Sequence, residues 1–317
     1  MDAVFLDQAS LDQHDLDFNA LQAVFNQVTF YDSTSAEQLL ARVHQVEVII
    51  TNKVVISAAL MVQCPHLKLI LISATGSNNV DLQAAKQQGI VVCNCQGYGT
   101  AAVAQHSLML MLNLATSFVR YQQAIQEGKW QQSSQFCLLD YPIVELSGKT
   151  LGIVGYGELG QAVAHLARAF GMKVLVAQLP QRPIQEGRIA FSDVLSQVDF
   201  LSLHCPLTEE TRHLIDESAF KQMKKTAFLI NCARGGIVNE QALLNALQNG
   251  EIAGAATDVL SVEPPKAGNI LLDAHLPNLL ITPHSAWGSV DARQRIVQQM
   301  VENTQAFLQG QPIRQVN

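Results

Sequence analysis

Residues 149–178, "KTLGIVGYGELGQAVAHLARAFGMKVLVAQ", constrain the fold of this chain more than any other stretch. An apolar, β-branched run at 151–154 meets glycines at 155, 157 and 160, an apolar helical pattern follows, and a second β run starts at Lys173. Each glycine has a separate job in such a turn. Gly155 permits the sharp reversal, Gly157 lets a pyrophosphate come against the backbone, and Gly160 lets the helix lie close on the strand. The first N–H groups of the helix lack intrahelical partners, and the helix dipole adds positive potential there, so the turn suits an anion. Glycine turns can be purely structural. Here the strand before, the helix after and the second strand behind predict a dinucleotide site in a parallel sheet.

That second strand should end in an acid to hold the adenosine ribose, about 20 residues past the motif. It ends in Gln178 instead. An amide can still hydrogen-bond a ribose, but it does not repel a 2′-phosphate, and Arg182 and Arg188 lie downstream. NAD and NADP both remain open, with a lean to NADP(H).

Short apolar runs alternate with amphipathic helical stretches along the whole chain, the pattern of parallel sheets covered by helices on both faces. The expected strands are 3–6, 46–50, 69–72 and 90–92, then 149–154, 173–177, 200–204, 227–231, 253–259 and 279–282. Helices are expected at 35–44, at 82–88 with Gly89 as its C-terminal cap, and at 290–308. A long apolar helix from 100 to about 120 reads as too hydrophobic to face water on any side and as the crossing between two domains. A length of 317 residues exceeds what one core usually supports. The expected architecture is α/β, two Rossmann-like doubly wound parallel-sheet domains. A dinucleotide-binding domain at 100–286 is inserted into a discontinuous substrate-binding domain at 1–99 and 287–317.

The formal charge of −7, without a basic run, argues against a nucleic-acid surface. No apolar stretch is long enough to span a bilayer, and the first residues read as a strand rather than a signal peptide. Six scattered cysteines lack metal or disulfide spacing, Cys93-Asn94-Cys95 included, so no metal is expected and a cytoplasmic location is.

Three segments fall at the C-terminal ends of expected strands, where open α/β sheets bind ligands. Arg234 follows "FLINCA" on a turn with two glycines, and a guanidinium there suits a planar carboxylate, an internal salt bridge being the alternative. Glu263 precedes Pro264-Pro265. His284 opens the turn after "LITP". A carboxylate beside a histidine orients the ring and favours the imidazolium, which can pass a proton to a carbonyl oxygen while a hydride reaches the carbon.

Over nearly its whole length the sequence resembles the D-isomer-specific 2-hydroxyacid dehydrogenase family. "LGIVGYGELG", "LHCPLTEETRHLI", "LINCARGGIVNE", "AATDVLSVEPP" and "LPNLLITPHSAWGS" carry the resemblance. "TNKV", "ATGSNNVDL" and Ala286-Trp287 point to the glycerate dehydrogenase (hydroxypyruvate reductase) branch. The resemblance implies that Arg234 binds the substrate carboxylate, His284 is the acid/base and Glu263 its partner. It implies that Glu158 and Leu159 flank the pyrophosphate beside Gly155, Gly157 and Gly160. His204, Pro206 and Thr211 would border the adenosine side, where Gln178 also lies, and Cys232, Ala233 and Asp258 the nicotinamide. Thr75 and Gly76 would meet cofactor and substrate through backbone N–H groups, with Asn52, Lys53 and Trp287 in the substrate pocket.

The implied reaction is reduction of a 2-keto acid, hydroxypyruvate or glyoxylate, to D-glycerate or glycolate, and its reverse, in a homodimer. Gln105 replaces a glutamate common in the family, which is expected to affect packing or dimer contacts. Other readings are a non-catalytic NAD(H)-sensing corepressor and another dehydrogenase of the family, for D-lactate or phosphoglycerate. Of these, a phosphoglycerate dehydrogenase is the less expected, because the sequence stops at Asn317 without an appended regulatory domain.

Overall fold

All twelve strands run parallel to their neighbours, in two sheets. The computed structural model describes residues 1–317. The chain forms two units, one of 1–99 with 287–317 and one of 100–286.

The first unit holds β1 (Asp2–Phe5), β2 (Gln27–Phe30), β3 (Val48–Thr51), β4 (Leu69–Ile72) and β5 (Val91–Cys93), in the order β2-β1-β3-β4-β5. Both faces of this sheet are covered, so β3 and β4 are buried at every residue and read as apolar runs up to Thr51 at the end of β3. Alternate side chains serve opposite cores. Val4, Ile49 and Ile70 enter one, while Ala3, Phe5, Ile50 and Leu71 enter the other. The second core is completed by Ile296, Val297 and Met300 of the helix Val290–Leu308, which returns the C-terminus to this unit. Each such buried side chain contributes about 1.5–3 kcal/mol. Ser289 caps that helix by accepting the Ala292 N–H at 3.1 Å.

The second unit holds β6 (Thr150–Val154), β7 (Lys173–Gln178), β8 (Ile189–Ala190), β9 (Phe200–Leu203), β10 (Phe228–Asn231), β11 (Gly254–Thr257) and β12 (Leu279–Ile281). Their order is β12-β11-β10-β9-β6-β7-β8. Strand order reverses between β1 and β3 in one sheet and between β6 and β9 in the other. Loops diverge at such a reversal and leave a crevice at the C-terminal ends of the strands. The glycine turn follows β6.

Several expectations need correction. The helix expected over 100–120 is two helices, Thr100–Thr116 and Phe118–Gln126, meeting at 61°. Ser117 between them has φ +51° and donates its hydroxyl to the Pro142 carbonyl at 2.7 Å, while Ala115 O accepts the Val144 N–H at 2.7 Å. The segment at 142–144 therefore accepts one hydrogen bond and donates another at the break, where the chain turns. The first of the two helices lies wholly within the second unit rather than crossing between units, and it has an exposed stripe at Ala101, Gln105 and Met109. No single helix is long and apolar enough to cross a membrane.

Two strands were not foreseen. β2 is a half-exposed edge strand beside a polar stretch, and β8 has only two residues. β12, expected as a buried strand, is a half-buried edge.

Candidate active site and dinucleotide turn

In the turn after β6, Gly155 has φ +93°, and a Cβ on it would lie 2.4 Å from the Cys205 backbone nitrogen. The turns after β6 and β9 thus touch, and only glycine lets them. A Cβ at Gly160 would lie 2.1 Å from the Gly155 carbonyl oxygen. Gly157 differs, because a Cβ there would meet nothing within 4 Å. Gly157 is also the N-cap of the helix Glu158–Ala169, with no side chain capping the first N–H groups. Two glycines are demanded by packing; the third faces open space beside uncapped donors, as a bound diphosphate requires.

The surrounding side chains suit a nucleotide. His204 Nδ1 is buried without a partner while Nε2 meets Ser202 Oγ at 2.8 Å, and burial pushes the imidazole down to about 4, so the ring is neutral near pH 7. Glu158 accepts the Thr100 hydroxyl at 2.6 Å, and Leu159 beside it is half-buried. Pro206 is exposed, and Thr211 fixes its loop by donating to the Pro206 carbonyl at 2.6 Å and accepting the Thr208 N–H at 2.8 Å. Gln178 is buried, and its Oε1 accepts the Gln185 N–H at 3.2 Å. Arg182 is committed to Glu210, whereas Arg188 joins no ion pair.

The loops after β10, β11 and β12 bring together the three residues expected to do chemistry. Asn231, at the end of β10, accepts the Ala233 N–H and donates to the Arg234 carbonyl, each at 3.0 Å, which shapes the turn around Cys232 and Ala233, both buried. A Cβ on Gly235 would lie 2.0 Å from the Leu260 carbonyl carbon, so glycine lets the loops after β10 and β11 meet. Arg234 is exposed, and its Nη1 donates to the Ala233 carbonyl at 2.7 Å. The internal salt bridge that was the alternative for this residue is not formed, and the guanidinium's side-chain hydrogen bond goes to backbone.

Glu263 Oε2 lies 2.6 Å from His284 Nδ1, and Oε1 accepts the Leu260 N–H at 2.8 Å. Burial opposes ionisation of Glu263, but the hydrogen bonds from His284 and Leu260, with the charges of His284 and Arg234, outweigh it and hold the carboxyl below its usual range. An ionised carboxylate only accepts, so Nδ1 carries the proton of that bond and Nε2 points away from it. The pair can therefore exchange a proton at Nε2 while Glu263 balances the charge.

His284 has φ +52°, a left-handed conformation that costs a non-glycine residue about 1–2 kcal/mol. Asp258, 1% exposed, holds the turn in place: Oδ1 accepts the Ser285 N–H and Oδ2 the Ala286 N–H, both at 2.9 Å, and its carbonyl accepts the His284 N–H at 2.8 Å. Asp258 Oδ1 also accepts the Thr282 hydroxyl at 2.5 Å.

In the first unit the turns after β1 and β3 meet at Asp7, whose carboxylate accepts the Asn52 N–H at 2.9 Å and the Lys53 N–H at 2.7 Å. Lys53 is exposed, while the Asn52 amide turns inward to Ser10 Oγ at 3.1 Å. Thr75 is exposed at the loop after β4, next to Gly76, and its carbonyl accepts Asn94 Nδ2 at 2.7 Å. Trp287 packs edge-on against Tyr98, with ring centroids 6.3 Å apart. Asp7, Asn94, Thr282 and His106 were not singled out from the sequence. A lone acid or threonine near a strand end gives no signal of which backbone groups it will reach.

Residues 108–286 match the family described as D-isomer specific 2-hydroxyacid dehydrogenase, NAD binding domain. A glycerate dehydrogenase of Methylorubrum extorquens is 45% identical over 310 residues, covering 98% of this chain and 96% of the relative. The chain belongs to this family. A hydroxypyruvate reductase of Blautia hydrogenotrophica is 37% identical over the full length of both chains. The crystal structure of the TT0316 protein of Thermus thermophilus superposes with a TM-score of 0.86 at 33% identity, again over all of both chains. The 2-hydroxyacid dehydrogenase family consists of oxidoreductases acting on CH–OH groups, and the NAD-binding domain match covers the glycine turn and the Arg234, Glu263 and His284 loops.

Proposed function

We propose that this protein interconverts a small 2-keto acid, hydroxypyruvate or glyoxylate, and the D-2-hydroxy acid, D-glycerate or glycolate, with a nicotinamide dinucleotide. The observation that carries the reading is the 2.6 Å bond from His284 Nδ1 to Glu263, beside a guanidinium that forms no ion pair within the chain. The names of the relatives support the choice of substrate.

Gly155, Gly157, Gly160, Glu158, Leu159, His204, Pro206 and Thr211 would hold the dinucleotide in the second unit, with Cys232, Ala233 and Asp258 toward the nicotinamide. When bound, the nicotinamide supplies the hydride for the carbonyl carbon. Arg234 takes the substrate carboxylate by paired N–H donors, which fixes the face of the carbonyl that is presented. His284 Nε2 gives its proton to the carbonyl oxygen as negative charge develops there, and recovers it in the reverse direction. Glu263, ionised throughout, holds the ring and balances the imidazolium. Within the first unit, the Thr75 and Gly76 N–H groups and the side chains of Lys53 and Trp287 are the groups proposed to bind substrate, while the Asn52 N–H and amide are already taken by Asp7 and Ser10.

For the dinucleotide the proposal favours NADP(H). Gln178 brings no charge against a 2′-phosphate, and Arg188 is the nearby guanidinium outside any ion pair; Arg182 does not add to this, being committed to Glu210. Exposed Phe118, Val119, Trp130, Phe136, Leu139 and Ile143 cluster within one stretch of chain and support a homodimer built on it. Six free thiols, five of them buried, suit a reducing compartment such as the cytoplasm.

Turnover of hydroxypyruvate, glyoxylate, pyruvate and phenylpyruvate with NADH and NADPH tests the reading. Hydroxypyruvate or glyoxylate should give the highest kcat/KM, and His284→Ala should lower it by about 10²–10⁴-fold. Dinucleotide binding without turnover of any keto acid would replace the enzyme by a nucleotide sensor.

A further inference from the structure

We infer that His106 and Thr282 are positioning residues for the reaction, acting through Asp258 to hold His284 in its left-handed conformation. The inference rests on the proposed role of His284 as the proton donor. His106 lies on the helix Thr100–Thr116, far from the catalytic loops in sequence, yet its Nε2 is 3.0 Å from Thr282 Oγ1 and 3.6 Å from Asp258 Oδ1.

The direction of each bond in this chain is fixed by chemistry. Asp258 as a carboxylate only accepts, so at 2.5 Å the Thr282 hydroxyl must donate to it. With its single proton used, Thr282 Oγ1 can only accept from His106, so Nε2 of His106 carries a proton. Oδ1 of Asp258 then has two donors, Thr282 and the Ser285 N–H, and Oδ2 has the Ala286 N–H. His284 sits between the anchored residues 282 and 285–286, and its own N–H is held by the Asp258 carbonyl.

The arrangement explains how a strained residue stays ordered in the turn after an edge strand. His284 costs about 1–2 kcal/mol in its left-handed conformation, and a half-buried β12 offers a hydrogen-bonded neighbour on one side only. A relaxed turn would swing the imidazole off Glu263. The threonine hydroxyl aims the Asp258 carboxylate at the two turn N–H groups, and the His106 donor fixes which way that hydroxyl points. The helix behind the sheet thereby sets the geometry of the acid at its edge.

Four variants separate this from a general loss of structure. Thr282→Val is isosteric and deletes the hydroxyl; Thr282→Ser retains it. His106→Leu deletes the donor; His106→Asn offers an N–H on a shorter side chain. In the ligand-free protein, amide hydrogen exchange at Ser285 and Ala286 should accelerate about tenfold or more in Thr282→Val and His106→Leu, with Thr282→Ser close to wild type. In turnover, Thr282→Val and His106→Leu should lose about 10- to 100-fold in kcat, the scale of a misplaced catalytic group, with the keto-acid KM unchanged because Arg234 is untouched. Thr282→Ser should restore most of the loss and His106→Asn part of it.

Unchanged exchange at 285–286 in both deletion variants would overturn the inference. So would a kcat within about two-fold of wild type, or a KM that rises as much as kcat falls. Because exchange is read without substrate or cofactor, its failure is distinct from failure of the proposed activity, which would show as absent turnover in the wild-type protein.

Discussion

Replacing Glu263 by Gln keeps the shape of the side chain and removes one acceptor from the pair that would carry the proton transfer. In the wild-type protein Oε1 takes the Leu260 N–H at 2.8 Å and Oε2 takes His284 Nδ1–H at 2.6 Å. An amide has one oxygen, so one of those donors must face an NH2 group. A hydrogen bond to a charged partner contributes about 1.5–3 kcal/mol. The side chains of His284 and Glu263 are 36% and 32% exposed, so water recovers part of the loss. Allowing for that solvent screening, about 1–2 kcal/mol remains. At about 1.4 kcal/mol per tenfold, kcat for keto-acid reduction should fall roughly 5- to 30-fold. KM for the keto acid should stay within about two-fold, since the carboxylate anchor is on another loop.

The acid limb of the wild-type pH profile depends on the same carboxylate. Glu263 is held below its usual range, so the ionised partner persists above that depressed value and is lost only as pH falls through it. The limb should therefore lie below about pH 4.3, the ordinary glutamate value, and be missing in the Gln variant. Steady-state kinetics across pH with saturating dinucleotide would decide. A Gln variant with wild-type kcat, or one whose defect lies wholly in KM, would refute the assignment of Glu263 as the partner of the proton donor.

Arg234→Lys keeps the charge and loses the planar fork, so the keto-acid KM should rise about 10- to 100-fold with a smaller change in kcat, measured by initial rates. Gly157→Ala should leave the thermal midpoint unchanged, because its Cβ meets open space, but weaken dinucleotide binding about tenfold by calorimetry. Gly160→Ala should instead lower the midpoint, since its Cβ would lie 2.1 Å from the Gly155 carbonyl. The homodimer proposed on the 118–143 stretch predicts a dimer mass for the wild type and a monomer mass for Phe136→Glu with Leu139→Glu, both side chains being strongly exposed, by light scattering; an equal mass for the two would refute that stretch as an interface.

Much of this protein was legible in its sequence, because the signals are local. Strands buried on both faces read as near-continuous apolar runs, broken only by a residue such as Ser202 whose hydroxyl has a partner, which marked β3, β4 and β9 directly. The helix Val290–Leu308 was legible from its period, since only a stripe of it is buried. Gly155 and Gly160 were demanded by the turn itself, before any neighbour was known. What failed was set by partners remote in the chain. The helix at 100–116 ends at Ser117 because 142–144 makes hydrogen bonds there, and no residue near Ser117 announces it.

Periodicity and strand termini are properties of short stretches, so the parallel α/β arrangement and the placing of Arg234, Glu263 and His284 on loops past strand ends could be read from residue order alone. Which of these groups meet depends on the folded chain. Adjacency of β10, β11 and β12 brings residues 234, 263 and 284 onto neighbouring loops, buried Asp258 holds the backbone of the last turn, and Glu263 takes the ring. The same holds for Asp7 beneath Asn52 and Lys53, and for His106 behind Thr282. A hydrogen bond acts over about 3 Å in space whatever the separation along the chain, so its partners are chosen by the fold.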